Sequence, residues 1–237
     1  MSVFKFKEFS VQQERSAMKV GTDGVLLGAW VSLDEEESIL DVGTGTGLIA
    51  LMLAQRSSAE LIDALEIEDA AYEEAVFNFE QSPWGDRLFC YHADFDEFCS
   101  EMDEPYDLIV SNPPFYTSQN PSSDRARFLA REEASLPFEQ LFSGSYGLLN
   151  EGGRLALVLP FEVSEKVENI ASQVGYKLSR KCLVRGNKES EVKRVLFEFV
   201  KSDKDLSVKK ESLIVETDRH QYTEAFTELV QDFYLDL

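Results

Sequence analysis

Histidine, cysteine and positive charge are all scarce in this 237-residue chain, and each shortage closes off a class of function. His92 and His220 are the only histidines, a poor basis for a histidine-built zinc centre or a Ser/His/Asp triad. Cys90, Cys99 and Cys182 stand singly, which argues against a disulfide framework and against a thiolate metal site. No bound metal is expected. No apolar run approaches the roughly 18–20 residues of a membrane span, and the opening MSVFKFKEFS lacks the apolar core and small-residue cleavage site of a secretory signal. The missing signal and the single cysteines both point to the reducing cytoplasm. Lysine and arginine number 23 against 44 aspartates and glutamates, a net charge of −21. Nucleic-acid-binding domains ordinarily carry the opposite excess, so the total alone points away from a polyanionic partner.

The distribution of charge qualifies that total. Between Lys177 and Arg194 lie seven basic residues, Lys181 and Arg185 among them, against two acidic ones, Glu189 and Glu191. Smaller clusters stand at Lys5/Lys7, Arg15/Lys19 and Arg125/Arg127/Arg131. Each is either a contact surface for phosphates or a solvated face of an ordinary soluble protein.

Short apolar runs alternate with helical patterns, the sequence form of βαβ units and a mainly parallel α/β sheet. Strands are expected at about 38–42, 61–66, 87–92, 106–111, 154–159, 178–184 and 193–200, and helices at about 47–56, 68–81, 137–149 and 162–174. Only RGNKESE separates the last two strands, too little for a crossover helix, so they should form an antiparallel hairpin.

After the first of these strands comes DVGTGTG, residues 41–47. Gly43 and Gly45 allow a tight turn and close backbone approach to a ligand, and the following helix offers free N–H donors. A pyrophosphate loop is written G-x-G-x-x-G, and its third glycine is replaced here by Leu48. Glu66 ends the next strand about twenty residues on, the place from which an acid reaches ribose hydroxyls. A ligand with a ribose and no pyrophosphate is implied, and S-adenosylmethionine fits. A nicotinamide cofactor does not suit Leu48. Asp94 follows the third strand, placed either to touch an adenine amino group or to cap a helix over 95–101.

The fourth strand ends in SNPPF, residues 111–115, at the sheet edge where ligands of open α/β folds bind. Pro113 and Pro114 fix φ and remove two N–H donors, leaving carbonyls without competition. The Asn112 side-chain oxygen and the Pro113 carbonyl can grip the two hydrogens of an exocyclic amine. That grip pulls the nitrogen lone pair out of conjugation. Phe115 offers a face for the base, a contact worth about 1–3 kcal/mol. Asn-Pro-Pro is also common turn chemistry.

DVGTGTG, Glu66, Asp94 and NPPF together resemble the class I S-adenosylmethionine-dependent amino-methyltransferases. Residues 4–30, FKFKEFSVQQERSAMKVGTDGVLLGAW, and 222–235, YTEAFTELVQDFYL, are similar to the bacterial tRNA1(Val) (adenine-37-N6)-methyltransferases. The resemblance implies a Rossmann-like, seven-stranded, mainly parallel sheet ending in an antiparallel hairpin. It implies an N-terminal extension over residues 1–35 that closes over the site, and a methyltransferase domain over 36–237. Asp41, Gly43 and Gly45 would line the methionine end of the cofactor, Glu66 the ribose and Asp94 the adenine. Thr22 and Asp23 would close over it, Asp23 near the sulfonium or amino group, unless Asp23 merely caps the helix at GVLLGAW. Asn112, Pro113, Pro114 and Phe115 would hold the target base. In the long polar segment from Tyr116 to Leu136, Arg125, Arg127 and Arg131 would meet phosphates of a tRNA substrate or face solvent. A monomer without membrane or metal is expected. NPPF also occurs in guanine-N2 rRNA methyltransferases, and glutamine-N5 protein methylation shares the chemistry. Intact Asn112 and glycines speak against a non-enzymatic binding module.

Overall fold

The computed structural model describes residues 2–16, 18–113, 136–219 and 221–236. Pro114, Phe115, Arg125, Arg127 and Arg131 lie outside the described residues.

An N-terminal hairpin, β1 (Val3–Lys5) and β2 (Ser10–Gln12), precedes α1 (Thr22–Trp30). The βα series follows: β3 (Ser38–Val42), α2 (Leu48–Arg56), β4 (Leu61–Glu66), α3 (Asp69–Glu80), β5 (Leu88–His92), α4 (Phe95–Glu101) and β6 (Tyr106–Ser111). Next come α5 (Phe138–Leu148), β7 (Leu149–Pro160), α6 (Ser164–Val174), β8 (Tyr176–Arg185) and β9 (Val192–Lys201). The chain closes with β10 (Lys209–Ile214), a small hairpin β11 (Glu216–Asp218) and β12 (Gln221–Tyr222), and α7 (Glu224–Val230).

The main sheet runs β10-β8-β9-β7-β6-β3-β4-β5. β5, β4, β3, β6 and β7 are parallel, and β9 lies antiparallel between β7 and β8. Strands covered on both faces read as continuous apolar runs, and adjacent residues serve opposite layers. Ile39 and Leu108 join the layer of α1, α2 and α7, while Leu40, Val42 and Ile109 join the layer of α4, α5 and α6. The antiparallel hairpin is where its short connection requires it.

The sheet has eight strands where seven were expected. β10 pairs in parallel with β8, from Lys209 opposite Arg180 to Ile214 opposite Arg185. Its sequence KKESLI opens on three charges and carries little strand signal, yet those charges fasten it. Arg180 Nε donates to Glu211 Oε2 at 2.7 Å and Trp30 Nε1 donates to the same oxygen at 3.0 Å. Burial alone would raise the Glu211 carboxyl, but hydrogen bonds from Arg180, Lys209 and Trp30 outweigh it and bring it down to about 2.

The first 35 residues are continuous with the body of the fold. Val25, Leu26 and Leu27 share a core with α2 and α7. α1 lies so close to α2 that a Cβ on Gly28 would meet Met52 Sδ at 2.8 Å. Phe6 bridges Tyr234, and Lys7 N donates to the Phe233 carbonyl at 2.8 Å, so both terminal segments meet.

Candidate active site

The carboxyl ends of β3, β4 and β6 open onto a cleft of two lobes. The larger, about 610 Å³, is lined by Glu66, Asp94, Phe95, Asn112, Pro113 and Gln140 among others. The smaller, about 470 Å³, is lined by Lys19, Thr22, Asp23, Thr46 and Arg194 among others. Met18, Gly43, Gly45, Asn112 and Pro113 belong to both.

The glycine loop separates two uses of glycine. Gly43 and Gly45 have φ of 70° and 60°, and a Cβ on either would meet nothing within 4 Å. They face open space, as a cofactor cradle requires. Gly47 has φ 82°, and a Cβ there would stand 2.5 Å from Phe79 Cε1, so this glycine serves packing.

Glu66 fixes the loop to β4. Its Oε2 accepts from Gly45 N at 2.8 Å, and its Oε1 accepts from Ile67 N and Glu68 N, each at 2.9 Å. A carboxylate has about four acceptor positions, so three are taken and the carboxylate is already oriented for a further hydroxyl. Asp41 lies beneath the loop and lines neither lobe, unlike the contact with the methionine end that the resemblance implies. Fully buried, its Oδ2 accepts from Thr44 Oγ1 at 2.6 Å and from Ala50 N at 3.2 Å, bracing the loop against the start of α2. Burial pushes its carboxyl up to about 7, although the bonds from Thr44 and Ala50 oppose the shift.

For Asp94 the capping reading is observed. Its Oδ1 caps α4, accepting from Asp96 N at 2.9 Å and Glu97 N at 3.4 Å, while the residue also lines the larger lobe. For Asp23 the capping alternative fails, since Gly21 is the N-cap of α1. Asp23 sits in the first turn and accepts from Arg194 Nε at 2.7 Å.

At the end of β6, Ser111 Oγ donates to the Val42 carbonyl at 2.7 Å, tying this strand to β3. The next residue supplies an acceptor that, unlike the equally unpartnered Asp41 Oδ1 beneath the loop, belongs to a residue lining both lobes. Asn112 Oδ1 is buried and has no hydrogen-bond partner among the described residues. A buried acceptor without a donor costs about 1–3 kcal/mol, which a ligand's N–H can recover.

Glu74 and Asn78 escaped the sequence reading. Glu74, 2% exposed, takes three consecutive backbone donors, Glu14 N at 2.5 Å, Arg15 N at 2.7 Å and Ser16 N at 2.8 Å. Asn78 Nδ2 donates to the carbonyls of Gln12 at 3.0 Å and Thr46 at 2.8 Å. One helix face therefore holds both the segment before α1 and the glycine loop. The available signal was an acid and an amide four apart on a face otherwise made by Ala71, Ala75 and Phe79.

Of the residues proposed for RNA on the β8–β9 hairpin, Lys181 is engaged within the fold. Its Nζ lies 2.6 Å from Glu168 Oε1 and 5.2 Å from the centre of the Phe197 ring. Arg185 is exposed, its Nη1 donating to the Ser190 carbonyl at 3.2 Å. Among the described residues no group of three or more His, Cys, Asp or Glu is placed to hold a metal ion. No described helix is long and apolar enough to cross a membrane.

Residues 16–175 match the family described as Methyltransferase small domain. A tRNA1(Val) (adenine(37)-N6)-methyltransferase of Christiangramia forsetii is 56% identical over 99% of this chain and 98% of its own. The protein of that name from Flavobacterium johnsoniae is 49% identical over 99% of this chain and 100% of its own. Among solved structures, one described as a predicted O-methyltransferase from Agrobacterium tumefaciens superposes with TM-score 0.69 at 19% identity, covering 89% of this chain and 96% of that one. Pyrococcus horikoshii TYW2, solved in complex with MeSAdo, gives TM-score 0.58 at 13% identity over 84% of this chain and 70% of that one. The fold is that of the class I methyltransferases, and the chain belongs to the tRNA1(Val) (adenine(37)-N6)-methyltransferase family.

Proposed function

We propose that this protein methylates N6 of adenine 37, beside the anticodon of a valine tRNA, with S-adenosylmethionine as methyl donor. The observation that carries the reading is Asn112 Oδ1, a buried acceptor without a partner among the described residues, on the wall shared by the two lobes. The lining suits this cofactor: Gly43 and Gly45 leave open space, Glu66 is pre-oriented for a hydroxyl, and Asp94 stands in the same lobe. When bound, the cofactor supplies an electrophilic methyl group.

The chain's own contribution is positional. Asn112 Oδ1 and the Pro113 carbonyl accept the two hydrogens of the base amine and turn its lone pair out of conjugation. The amine is neutral, so no general base must act before attack, and the proton leaves afterwards. The base has to leave its stack to reach a cleft at the sheet edge. Phe115 would stack on it, with Pro114 fixing the turn between them. Arg125, Arg127, Arg131 and Arg185 are the proposed phosphate contacts, whereas Lys181, which the sequence offers beside Arg185, is taken by Glu168. Of residues 1–35, which the sequence reading sets apart from 36–237, Met18, Lys19, Thr22 and Asp23 would close the site from the N-terminal side. The protein is read as acting as a monomer, and the tRNA substrate and the chain's composition support a cytoplasmic location.

The test is to incubate the protein with labelled S-adenosylmethionine and total tRNA, rRNA or release factors, then digest the products. N6-methyladenosine in tRNA is the expected product. Label in guanine, or only in protein glutamine, overturns the reading.

A further inference from the structure

The smaller lobe carries charge of both signs on segments far apart in the chain. Asp23 accepts from Arg194 Nε through Oδ2, and its Oδ1 carries no hydrogen bond among the described residues. Arg194 Nη1 donates to the Lys193 carbonyl at 3.0 Å, while Nη2 has no partner among them. The two side chains are 28% and 35% exposed, so the pair is partly shielded yet open to the lobe it lines. A free carboxylate oxygen beside a free guanidinium nitrogen is the complement of a zwitterion. The guanidinium fork also matches a carboxylate better than a lysine does.

Both lobes share Gly43, Gly45, Asn112 and Pro113, so a ligand spanning them crosses the wall that holds Asn112. With a nucleoside end beside Glu66, the other end falls in the lobe of Asp23 and Arg194. The resemblance already sets Asp23 near the amino group of the cofactor, and we propose that Arg194, held beside it, binds the α-carboxylate. The assignment rests on the S-adenosylmethionine reading above. It gives Arg194, which the sequence presents as one more member of a basic run, a cofactor-binding task.

Calorimetric titration of the full chain with three ligands tests it: S-adenosylhomocysteine, its decarboxylated analogue and 5′-methylthioadenosine, which lacks the amino-acid end altogether. Arg194→Gln should weaken S-adenosylhomocysteine about tenfold or more, and leave the other two within about twofold. Arg194→Lys should recover part of the loss. Asp23→Asn should weaken both amine-bearing ligands and spare methylthioadenosine, whose binding also reports an intact fold. Equal weakening of all three ligands by Arg194→Gln, or none, overturns the assignment. Failure of the parent protein to bind S-adenosylhomocysteine would instead overturn the cofactor reading itself.

Discussion

The glycine-loop edge and the β8–β9 hairpin both concentrate chemistry-bearing residues, and they use them in opposite ways. At the loop edge, polar groups are fixed but keep capacity. Glu66 holds three backbone donors and has room for another, and Asn112 Oδ1 has no partner among the described residues. Along the hairpin, the charges are largely engaged by the fold. Arg180 bonds Glu211 and lies 4.0 Å from the Trp30 ring centre, Lys181 bonds Glu168, and Lys177 lies 3.4 Å from Asp205. A charge count therefore overstates what a partner molecule would meet. An unpaired acceptor on a residue that lines both lobes marks function more sharply than residue type does.

The largest effect should come from the unpaired acceptor shared by the two lobes. Asn112→Ala is expected to lower turnover by at least about a hundredfold while cofactor affinity, read by calorimetry, stays within a few fold. A parallel loss of both would deny Asn112 its role on the amine. The glycines offer the next contrast. Gly47→Ala forces a Cβ against Phe79 and should cost about 1–3 kcal/mol of stability, visible as a lower Tm. Gly45→Ala meets no atom, so it should cost only the backbone strain of its φ of 60°, about 1–2 kcal/mol, and in addition weaken binding of S-adenosylhomocysteine. Two variants that differ only in stability would reduce the loop to a turn.

Asp41 separates bracing from contact. Its carboxyl lies near 3.8 in the unfolded chain and about 7 in the fold. Between those values the folded state holds a proton that the unfolded state has lost, so its share of stability falls as pH rises through that window. Asp41→Asn removes this dependence. The Tm of the variant relative to the parent should move upward by at least about 2–4 °C between pH 4 and pH 7, the shift that about 1 kcal/mol produces in a chain of this size. A constant difference across that range would place the titration elsewhere. The smallest effect concerns RNA. Arg185→Glu should flatten the salt dependence of tRNA binding by about one phosphate contact, whereas Lys181→Glu should lower stability, because Glu168 faces it, and leave the slope unchanged. Equal slopes for both variants would make the exposed end of the hairpin a solvated face.

Local pattern carried much of this protein. The strand runs alternate or are continuously apolar, the loop is spelled by glycines between a strand and a helix, and Glu66 follows at a fixed interval, so the sequence alone determines the sheet core, the cradle and the Asn112 turn. Tertiary structure decided what stands across from those groups. Arg194 meets Asp23 across 171 positions of chain, and Glu74 captures a segment 58 to 60 positions earlier. β10 is held by Trp30 and Arg180 rather than by any strand signal of its own. Such pairings leave no local periodicity, because each partner looks like an ordinary surface charge until the chain folds and either neutralises it or leaves it facing the cleft.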